Sequence, residues 1–188
     1  ILSGKKEKKQ KELIEQIILE NYNQYYRLAY GYTHHAEDAC DIVQNGAYKA
    51  LKGCNTLKQP EYAKTWVYRI MLNECFEHMR QPKNLSYEAV KEETGIENGS
   101  SEDRYADIDL QRAIDALPEK EKAVILLKYF EEKKLEEIAE ILDENVSTIK
   151  SRLYRCMKKL RSSLADEDGD GRAYVKPAGD VQNREATI

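Results

Sequence analysis

Residues 135–164 read LEEIAEILDENVSTIKSRLYRCMKKLRSSL and contain two amphipathic segments separated by a short polar break. The apolar residues of the first segment recur at helical spacing: Leu135, Ile138, Ala139 and Leu142. Those of the second segment recur in the same way: Ile149, Leu153, Cys156 and Leu160. This spacing predicts two α-helices. Because only Asp143, Glu144 and Asn145 lie between them, we expect the helices to be joined by a tight turn.

The second predicted helix is strongly basic. It has no acidic residue between Asn145 and Ala165, and it carries six cations: Lys150, Arg152, Arg155, Lys158, Lys159 and Arg161. Most basic runs are solvated surfaces, but one that follows a short acidic helix and a tight turn is typical of a helix-turn-helix. There the first turns of the second helix reach base edges in the major groove. The candidate duplex-binding residues are Thr148, Lys150, Ser151, Arg152, Arg155, Lys158 and Lys159.

The rest of the chain is also predicted to be helical, because no stretch alternates strictly between apolar and polar residues. Three helices are expected upstream, with approximate bounds 13–31, 39–53 and 60–81. The buried side of the third is predicted to hold Trp66, Ile70, Cys75 and Met79. Downstream, residues 107–165 accommodate four helices, one of which begins at Pro118.

The formal charge of −4 at pH 7 argues against a protein that coats nucleic acid along its whole length. The acidity is concentrated in two segments without apolar periodicity, 83–106 and 166–188, which we interpret as an acidic linker and an acidic tail. The fold class is therefore predicted to be all-α, with two small helical domains joined by a flexible linker. A three-helix-type bundle occupies residues 10–82, a four-helix domain occupies residues 107–165, and residues 1–9 form a basic arm.

The composition excludes several classes of protein. A content of 41% hydrophobic and 34% charged residues suits folded domains and not a disordered chain. The longest apolar run, Ala123–Leu127, is too short to cross a bilayer, and no segment has the order of a signal peptide, so we expect a cytoplasmic protein. No glycine-rich phosphate loop occurs, and no nucleophile is placed beside a base. We therefore expect neither enzymatic activity nor a cofactor.

Two weak metal-binding patterns occur, and neither predicts a site. The sequence DEDGDG at 166–171 matches the start of a calcium loop, but Pro177 stands where the loop needs a glutamate. Cys75 and His78 have the spacing of a zinc ligand pair, with no close second pair. We expect no metal and, in the cytosol, no disulfide. A metal-responsive or enzymatic helical protein is the alternative from another functional class.

Longer stretches of both predicted domains resemble a known family. The segment 115–164, with LP at 117–118, EIA at 137–139 and TIKSRLYR at 148–155, resembles region four of bacterial RNA polymerase sigma factors of the extracytoplasmic-function group. The first domain resembles region two of the same family, through YYRLAYGY at 25–32, EDACDIVQ at 37–44 and TWVYRIMLNECFEHMR at 65–80. The two resemblances occur in the family's order, on either side of the acidic linker.

The resemblance implies roles for particular residues. A polar strip would bind the clamp of the polymerase's largest subunit: Asp38, Asp41, Gln44 and Asn45. Region two would capture the melted minus-ten element, with Leu57 and Asn73 at a flipped base and Lys64, Arg69 and Arg80 on backbone phosphates. Trp66 fits either a stacking platform or the core, and the core is the more common place for a lone tryptophan. The basic helix of region four, with Thr148 at its start, would bind the minus-thirty-five element.

The resemblance also implies partners. The apolar residues Val124, Leu127 and Phe130 would include the surface that meets the polymerase flap, although most of them also fill the domain core. Family members are usually held inactive by a membrane-anchored anti-sigma protein. The expected function is that of a promoter-specificity subunit of RNA polymerase. The alternative is a stand-alone helix-turn-helix regulator that binds duplex DNA as a dimer.

Overall fold

A computed structural model describes the backbone of residues 2–81 and 101–167 and the side chains of residues 6–81 and 108–164. Within these ranges the chain forms seven α-helices and no strand, which confirms the all-α prediction. The helices are α1 (Leu2–Thr33), α2 (Ala36–Lys52), α3 (Ala63–Arg80), α4 (Ser101–Asp115), α5 (Glu119–Ile125), α6 (Leu135–Leu142) and α7 (Val146–Glu167). Two 3-10 turns lie at Cys54–Thr56 and Pro60–Tyr62, and a π-helical turn at Leu126–Phe130 extends α5.

Local interactions explain where several helices begin and end. At the start of α2 the His35 side chain accepts a hydrogen bond from the backbone N–H of Asp38, at 3.4 Å. At the start of α6 the Glu137 carboxylate accepts one from the backbone N–H of Lys134, at 2.9 Å. Asp143 then ends α6 with φ 56°, a left-handed conformation that short polar side chains tolerate. The helix-turn-helix predicted from the sequence is therefore formed by α6, this turn and α7.

Some helix bounds differ from the sequence prediction. Most of the predicted basic arm forms the first turns of α1, and its lysines at 6, 8 and 9 are exposed. Helix α4 begins inside the predicted linker, and α7 continues to Glu167 inside the predicted tail. Lysine and glutamate are good helix formers, so charge alone does not stop a helix. Residues 82–100 and 168–188, with the rest of the linker, the tail and the calcium-like pattern, lie outside the described residues.

The core of the first bundle, α1–α3, is built around two tyrosines. Tyr25 and Tyr68 are fully buried and meet edge to face, with their ring centroids 5.0 Å apart. The buried side of α3 includes Cys75 as predicted, and Trp66 and Ile70 are half-buried against the same core. Met79 is a correction, because it is 40% exposed. The α3 core residues end at Phe76, so Met79 lies beyond the packed part of the helix.

The second bundle packs directly against the first. A small core of its own joins α4, α5 and α7: Ile114, Leu117, Ile125, Cys156 and Leu160. Other buried residues of the second bundle belong to the same apolar cluster as α1–α3. They are Val124 of α5, Leu127 of the π-helical turn, Ile138 of α6 and Ile149 of α7. The two bundles therefore share one continuous core, an arrangement that the sequence did not predict.

Candidate polymerase and nucleic-acid interfaces

The outer side of α2 carries a polar strip because its apolar residues, Ala39, Ile42 and Val43, are buried. The strip comprises the four predicted residues Asp38, Asp41, Gln44 and Asn45. Asp38 is half-buried and the other three are exposed. The Asp38 carboxylate lies 3.7 Å from His35 Nδ1 and 3.6 Å from His78 Nε2. Such a strip offers carboxylate and amide oxygens to a cationic partner.

A polar cavity of about 220 Å³ lies beside this strip, between α2 and α3. Its walls include Asp41 and Asn45 from α2 and Glu74 and Glu77 from α3. Lys49 donates to both glutamates, at 2.6 and 2.8 Å, and these hydrogen bonds raise the pKa of Lys49 above its usual value. The ion pairs join α2 to α3, so the polar strip has a rigid support.

The predicted minus-ten residues of α3 are Lys64, Arg69, Asn73 and Arg80. Spacings of four and seven residues place the last three on one side of the helix. Lys64 and Asn73 are exposed. Both arginines make ion pairs with residues of other helices or turns. Arg69 donates to the Glu140 carbonyl at 2.6 Å and to Asp143 at 3.2 Å. Arg80 donates from Nη2 to both Glu119 oxygens, at 2.7 and 2.9 Å.

The basic helix α7 presents most of its predicted contacts to solvent. Lys150, Ser151, Arg155, Lys158 and Lys159 are exposed, and Thr148 is half-buried at the helix start. Lys159 also lies 2.7 Å from Glu121 of α5. These exposed side chains leave the first turns of α7 accessible to another molecule.

Arg152 differs from its neighbours because its guanidinium is directed at the turn. Its side chain is 13% exposed, with Nη1 at 2.7 Å and Nη2 at 3.1 Å from the two carboxylate oxygens of Glu144. Lys120 of α5 also reaches Glu144, at 3.0 Å. Burial alone would raise the pKa of Glu144, but the hydrogen bonds from Arg152 and Lys120 outweigh it and hold that pKa below its usual value. Arg152 therefore braces the turn.

Comparison with known proteins assigns both halves of the chain. Residues 17–84 match the Sigma-70 region 2 family, and residues 107–160 match the Sigma-70, region 4 family. The chain is 40% identical over 166 residues to the RNA polymerase sigma factor SigV of Bacillus subtilis, covering 87% of this chain and 98% of that protein. It is 31% identical over 156 residues to the ECF RNA polymerase sigma factor SigW of the same organism, covering 75% and 83% respectively.

This chain belongs to the ECF RNA polymerase sigma factor family. Two solved structures share the fold of this sigma factor. One is CnrH in complex with the cytosolic domain of CnrY, with a TM-score of 0.63, 19% identity and coverage of 90% of this chain and 97% of that one. The other is the sigma factor RpoE in complex with the anti-sigma factor NepR from Bartonella quintana, with a TM-score of 0.60, 22% identity and coverage of 80% and 96%.

One predicted region-two residue requires a correction. Leu57 is only 5% exposed and belongs to the core, and its carbonyl accepts a hydrogen bond from buried Gln10 at 2.7 Å. A side chain in that position cannot line an open base pocket. Trp66 packs against the same core and near Gly53, as expected for the core interpretation.

One exposed aromatic residue of region four was missed by the sequence analysis. Tyr154 is 75% exposed and lies one helical turn after Lys150 and three residues after Ser151, on the same side of α7. The sequence did contain a signal for this residue, because Tyr154 is an aromatic residue of the basic helix that lies outside its buried apolar spacing. An apolar ring on such a face suits contact with the methyl group of thymine.

Only part of the predicted flap surface, Val124, Leu127 and Phe130, is accessible. Val124 and Leu127 are fully buried in the shared core. Phe130 is 58% exposed, beside Tyr129 at 53%. The end of the π-helical turn is therefore the part of this segment that another protein can reach.

Across residues 6–81 and 108–164, no group of three or more His, Cys, Asp or Glu side chains could hold a metal ion. Cys75 is fully buried, and burial raises its pKa to about 12, which disfavours the thiolate that zinc requires. No helix among the described residues is both long enough and apolar enough to cross a membrane.

Proposed function

We propose that this sigma factor directs RNA polymerase to promoters and that the core enzyme supplies the phosphoryl-transfer chemistry. The observation that carries the proposal is the presence of two nucleic-acid surfaces of different character in one chain. Region four has an exposed basic helix after a tight turn, and region two has a stripe of one amide and two arginines. The first suits duplex DNA and the second suits a single strand.

Region two binds the polymerase clamp through the polar strip of α2. Asp41 and Gln44 are the central contacts, with Asp38 and Asn45 at either side. The exposure of Asp41, Gln44 and Asn45 supports this role, as does the rigid attachment of α2 to α3 through Lys49. A basic partner helix would gain hydrogen bonds from these carboxylates and amides without rearranging them.

The minus-ten element binds along α3. Asn73 reads the edge of an unstacked base, because an amide both donates and accepts hydrogen bonds. Lys64, Arg69 and Arg80 hold the backbone of the melted strand. Leu57 has no part in this contact, because its side chain is buried in the core.

The minus-thirty-five element binds the first turns of α7. Lys150, Ser151 and Arg155 face the major groove together with Tyr154, and Thr148 approaches at the helix start. Lys158 and Lys159 contact phosphates farther along the helix. Arg152 acts through Glu144 as a positioning residue that fixes the angle between α6 and α7.

Two kinds of protein partner complete the proposal. The exposed Phe130 contacts the flap of the polymerase. An anti-sigma factor, anchored in the membrane, controls the chain. The fold shared with CnrH and RpoE, both solved in complexes, supports regulation of this kind. The polymerase and the promoter are cytoplasmic, so the chain acts there and needs no insertion into the membrane.

Reconstitution tests the proposal. Sigma-free core polymerase from a related bacterium is combined with the purified chain and genomic fragments, and transcript start sites are mapped. We expect discrete starts that require both the chain and active core. The Asp41→Ala variant is the matched control, since it should lose starts while its fold is retained. Random starts, identical with and without the chain, would refute the proposal. Tight duplex binding without polymerase would favour a stand-alone regulator.

A further inference from the structure

Tyr62 is an exposed aromatic residue at the amino-terminal end of α3. It is 50% exposed, and it ends the 3-10 turn that leads directly into the helix. Its sequence separations from Arg69, Asn73 and Arg80 are each close to a whole number of helical turns. Tyr62 therefore lies on the same side of α3 as these three residues. The stripe proposed to bind the minus-ten element continues to an aromatic ring.

The backbone that carries this ring is fixed by the fold. The Tyr62 backbone N–H donates to the Gln59 carbonyl at 3.2 Å, and Pro60 restricts the backbone at the start of the same turn. The next residue, Ala63, is buried in the core of the first bundle. The ring is thus presented from a position that is already ordered, so a ligand that binds to it loses little affinity to ordering of the backbone.

The other aromatic side chains in this part of region two are held by the core. Trp66, one helical turn farther along α3, is half-buried and packs near Gly53. Tyr68 and Phe76 are buried. Among the described residues of α3 and of the loop before it, Tyr62 alone has an exposed aromatic ring.

The charge around Tyr62 favours a nucleotide as the partner of this ring. Lys58 precedes it and Lys64 follows it in the sequence, both are exposed, and Glu61 is the single acidic residue between them. Surfaces that bind single strands combine an aromatic face for a base with cations for the backbone phosphates. The segment 58–64 supplies both, and α3 continues the cationic surface through Arg69.

We propose that Tyr62 is a stacking residue for one unpaired base of a single-stranded nucleic acid. The inference rests on the proposed function, which places the melted strand along α3. Tyr62 and Asn73 lie about 16 Å apart along the helix. Stacked nucleotides of one strand are about 3.4 Å apart, so at most about five nucleotides span that distance. Tyr62 therefore holds a different base from the one that Asn73 reads, and it accepts any base because every base has a π-face.

Three variants test the role of the ring. Tyr62→Ala removes the ring, whereas Tyr62→Phe keeps it and removes only the hydroxyl group. Tyr22→Ala is the matched control, because Tyr22 is an exposed tyrosine of the same region that belongs to α1 and not to the α3 stripe. The Tyr62 side chain lies outside the core cluster, so each variant should remain folded. Circular dichroism and thermal melting verify this.

The first readout is photochemical. A single-stranded DNA of mixed sequence, with 5-iododeoxyuridine in place of thymidine, is irradiated with the full chain, alone and with core polymerase. Mass spectrometry then locates the cross-linked residues. We expect a cross-link to Tyr62 in the wild type and in Tyr22→Ala, because iodouracil couples to an aromatic ring that is stacked against it. The absence of this cross-link, whether or not other residues react, would overturn the proposal.

The second readout is the affinity of the chain for a fluorescein-labelled strand of the same sequence, measured by anisotropy. Tyr62→Ala should weaken binding by about 5- to 150-fold, which corresponds to the loss of one base–aromatic stack. Tyr62→Phe and Tyr22→Ala should keep the wild-type affinity. Equal affinity of Tyr62→Ala and the wild type would overturn the proposal.

Promoter-dependent initiation with core polymerase is assayed in parallel, and it separates this proposal from the proposed function. Initiation by the wild type that Tyr62→Ala leaves unchanged would overturn the role of the stack and leave the proposed function standing. No initiation by any of the proteins, with Tyr62 still cross-linked to the strand, would defeat the proposed function and leave the single-strand site.

Discussion

Glu144 and Arg152 form a two-pronged ion pair across the helix-turn-helix, with both terminal guanidinium nitrogens, Nη1 and Nη2, within 3.1 Å of the carboxylate. Glu144 belongs to the turn and Arg152 to the second turn of α7, so the pair fixes how α7 leaves the turn. Lys120 ties the same carboxylate to α5. Arg152, which the sequence analysis predicts to contact DNA, therefore also braces the turn before α7.

The first prediction concerns this pair. Glu144→Gln removes the charge that both cations share, and hydrogen bonds to charged groups are worth about 1.5–3 kcal/mol. We expect the free energy of unfolding to fall by about that amount, with duplex binding by α7 weakened in parallel. Urea denaturation and fluorescence anisotropy measure the two effects. Glu136→Gln, on the exposed side of α6, is the control. Unchanged stability in Glu144→Gln would show that the pair does not brace the turn.

The second prediction concerns pH and Asp115. Burial alone would raise the pKa of Asp115, but hydrogen bonds from His34, which follows the end of α1, and from Lys122 outweigh it and lower that pKa. A lowered carboxylate pKa contributes stability above the unfolded value, 3.8, and loses it as pH falls through the folded value. The difference in unfolding free energy between wild type and Asp115→Asn should therefore be constant from about pH 6 to 5 and shrink below about pH 4. A difference in unfolding free energy between the two proteins that persists at pH 3 would contradict the lowered pKa of Asp115.

The third prediction separates a core residue from a contact residue in region two. Leu57→Ala should cost about 2–5 kcal/mol of stability, because its side chain is buried. Asn73→Ala should change stability by less than about 0.5 kcal/mol, because Asn73 is exposed, and should lose base preference in the minus-ten element. Thermal melting and transcription from templates with single-base changes provide the measurements. Loss of base preference in a fully stable Leu57→Ala protein would restore Leu57 to the pocket.

These cases show what the sequence could and could not predict. Apolar spacing predicted the helices and the helix-turn-helix, because periodicity reports which side of each helix is buried. It could not predict what the exposed cations contact. Arg69, Arg80 and Arg152 each pair with a residue from another helix or turn, and such pairings depend on packing between elements distant in the sequence. Leu57 was predicted to be accessible but is buried, and Met79 was predicted to be buried but is exposed. The apolar spacing does not show where the core ends.

The fourth prediction concerns the exposed aromatic residue of α7. If Tyr154 contacts a thymine methyl, replacing one thymine of the upstream element by deoxyuridine should weaken wild-type binding by about 0.8 kcal/mol, the value of one buried methylene-sized group. In Tyr154→Ala the same replacement should have no effect, since the partner of the methyl group is gone. Scanning each thymine with deoxyuridine in a duplex anisotropy assay finds the position. An equal loss in both proteins at every position would exclude Tyr154 from base readout.

The fifth prediction concerns the polar strip of α2. Asp41→Ala should weaken the affinity of the chain for core polymerase, because its carboxylate is exposed and near the centre of the strip. Duplex binding by α7 should be unchanged, since α2 is in region two. Glu37→Ala is the matched control, an exposed acid of the same helix outside the strip. Biolayer interferometry with immobilised core measures affinity. Equal affinity of wild type and Asp41→Ala for core would show that the polymerase does not use the Asp41 carboxylate of this strip.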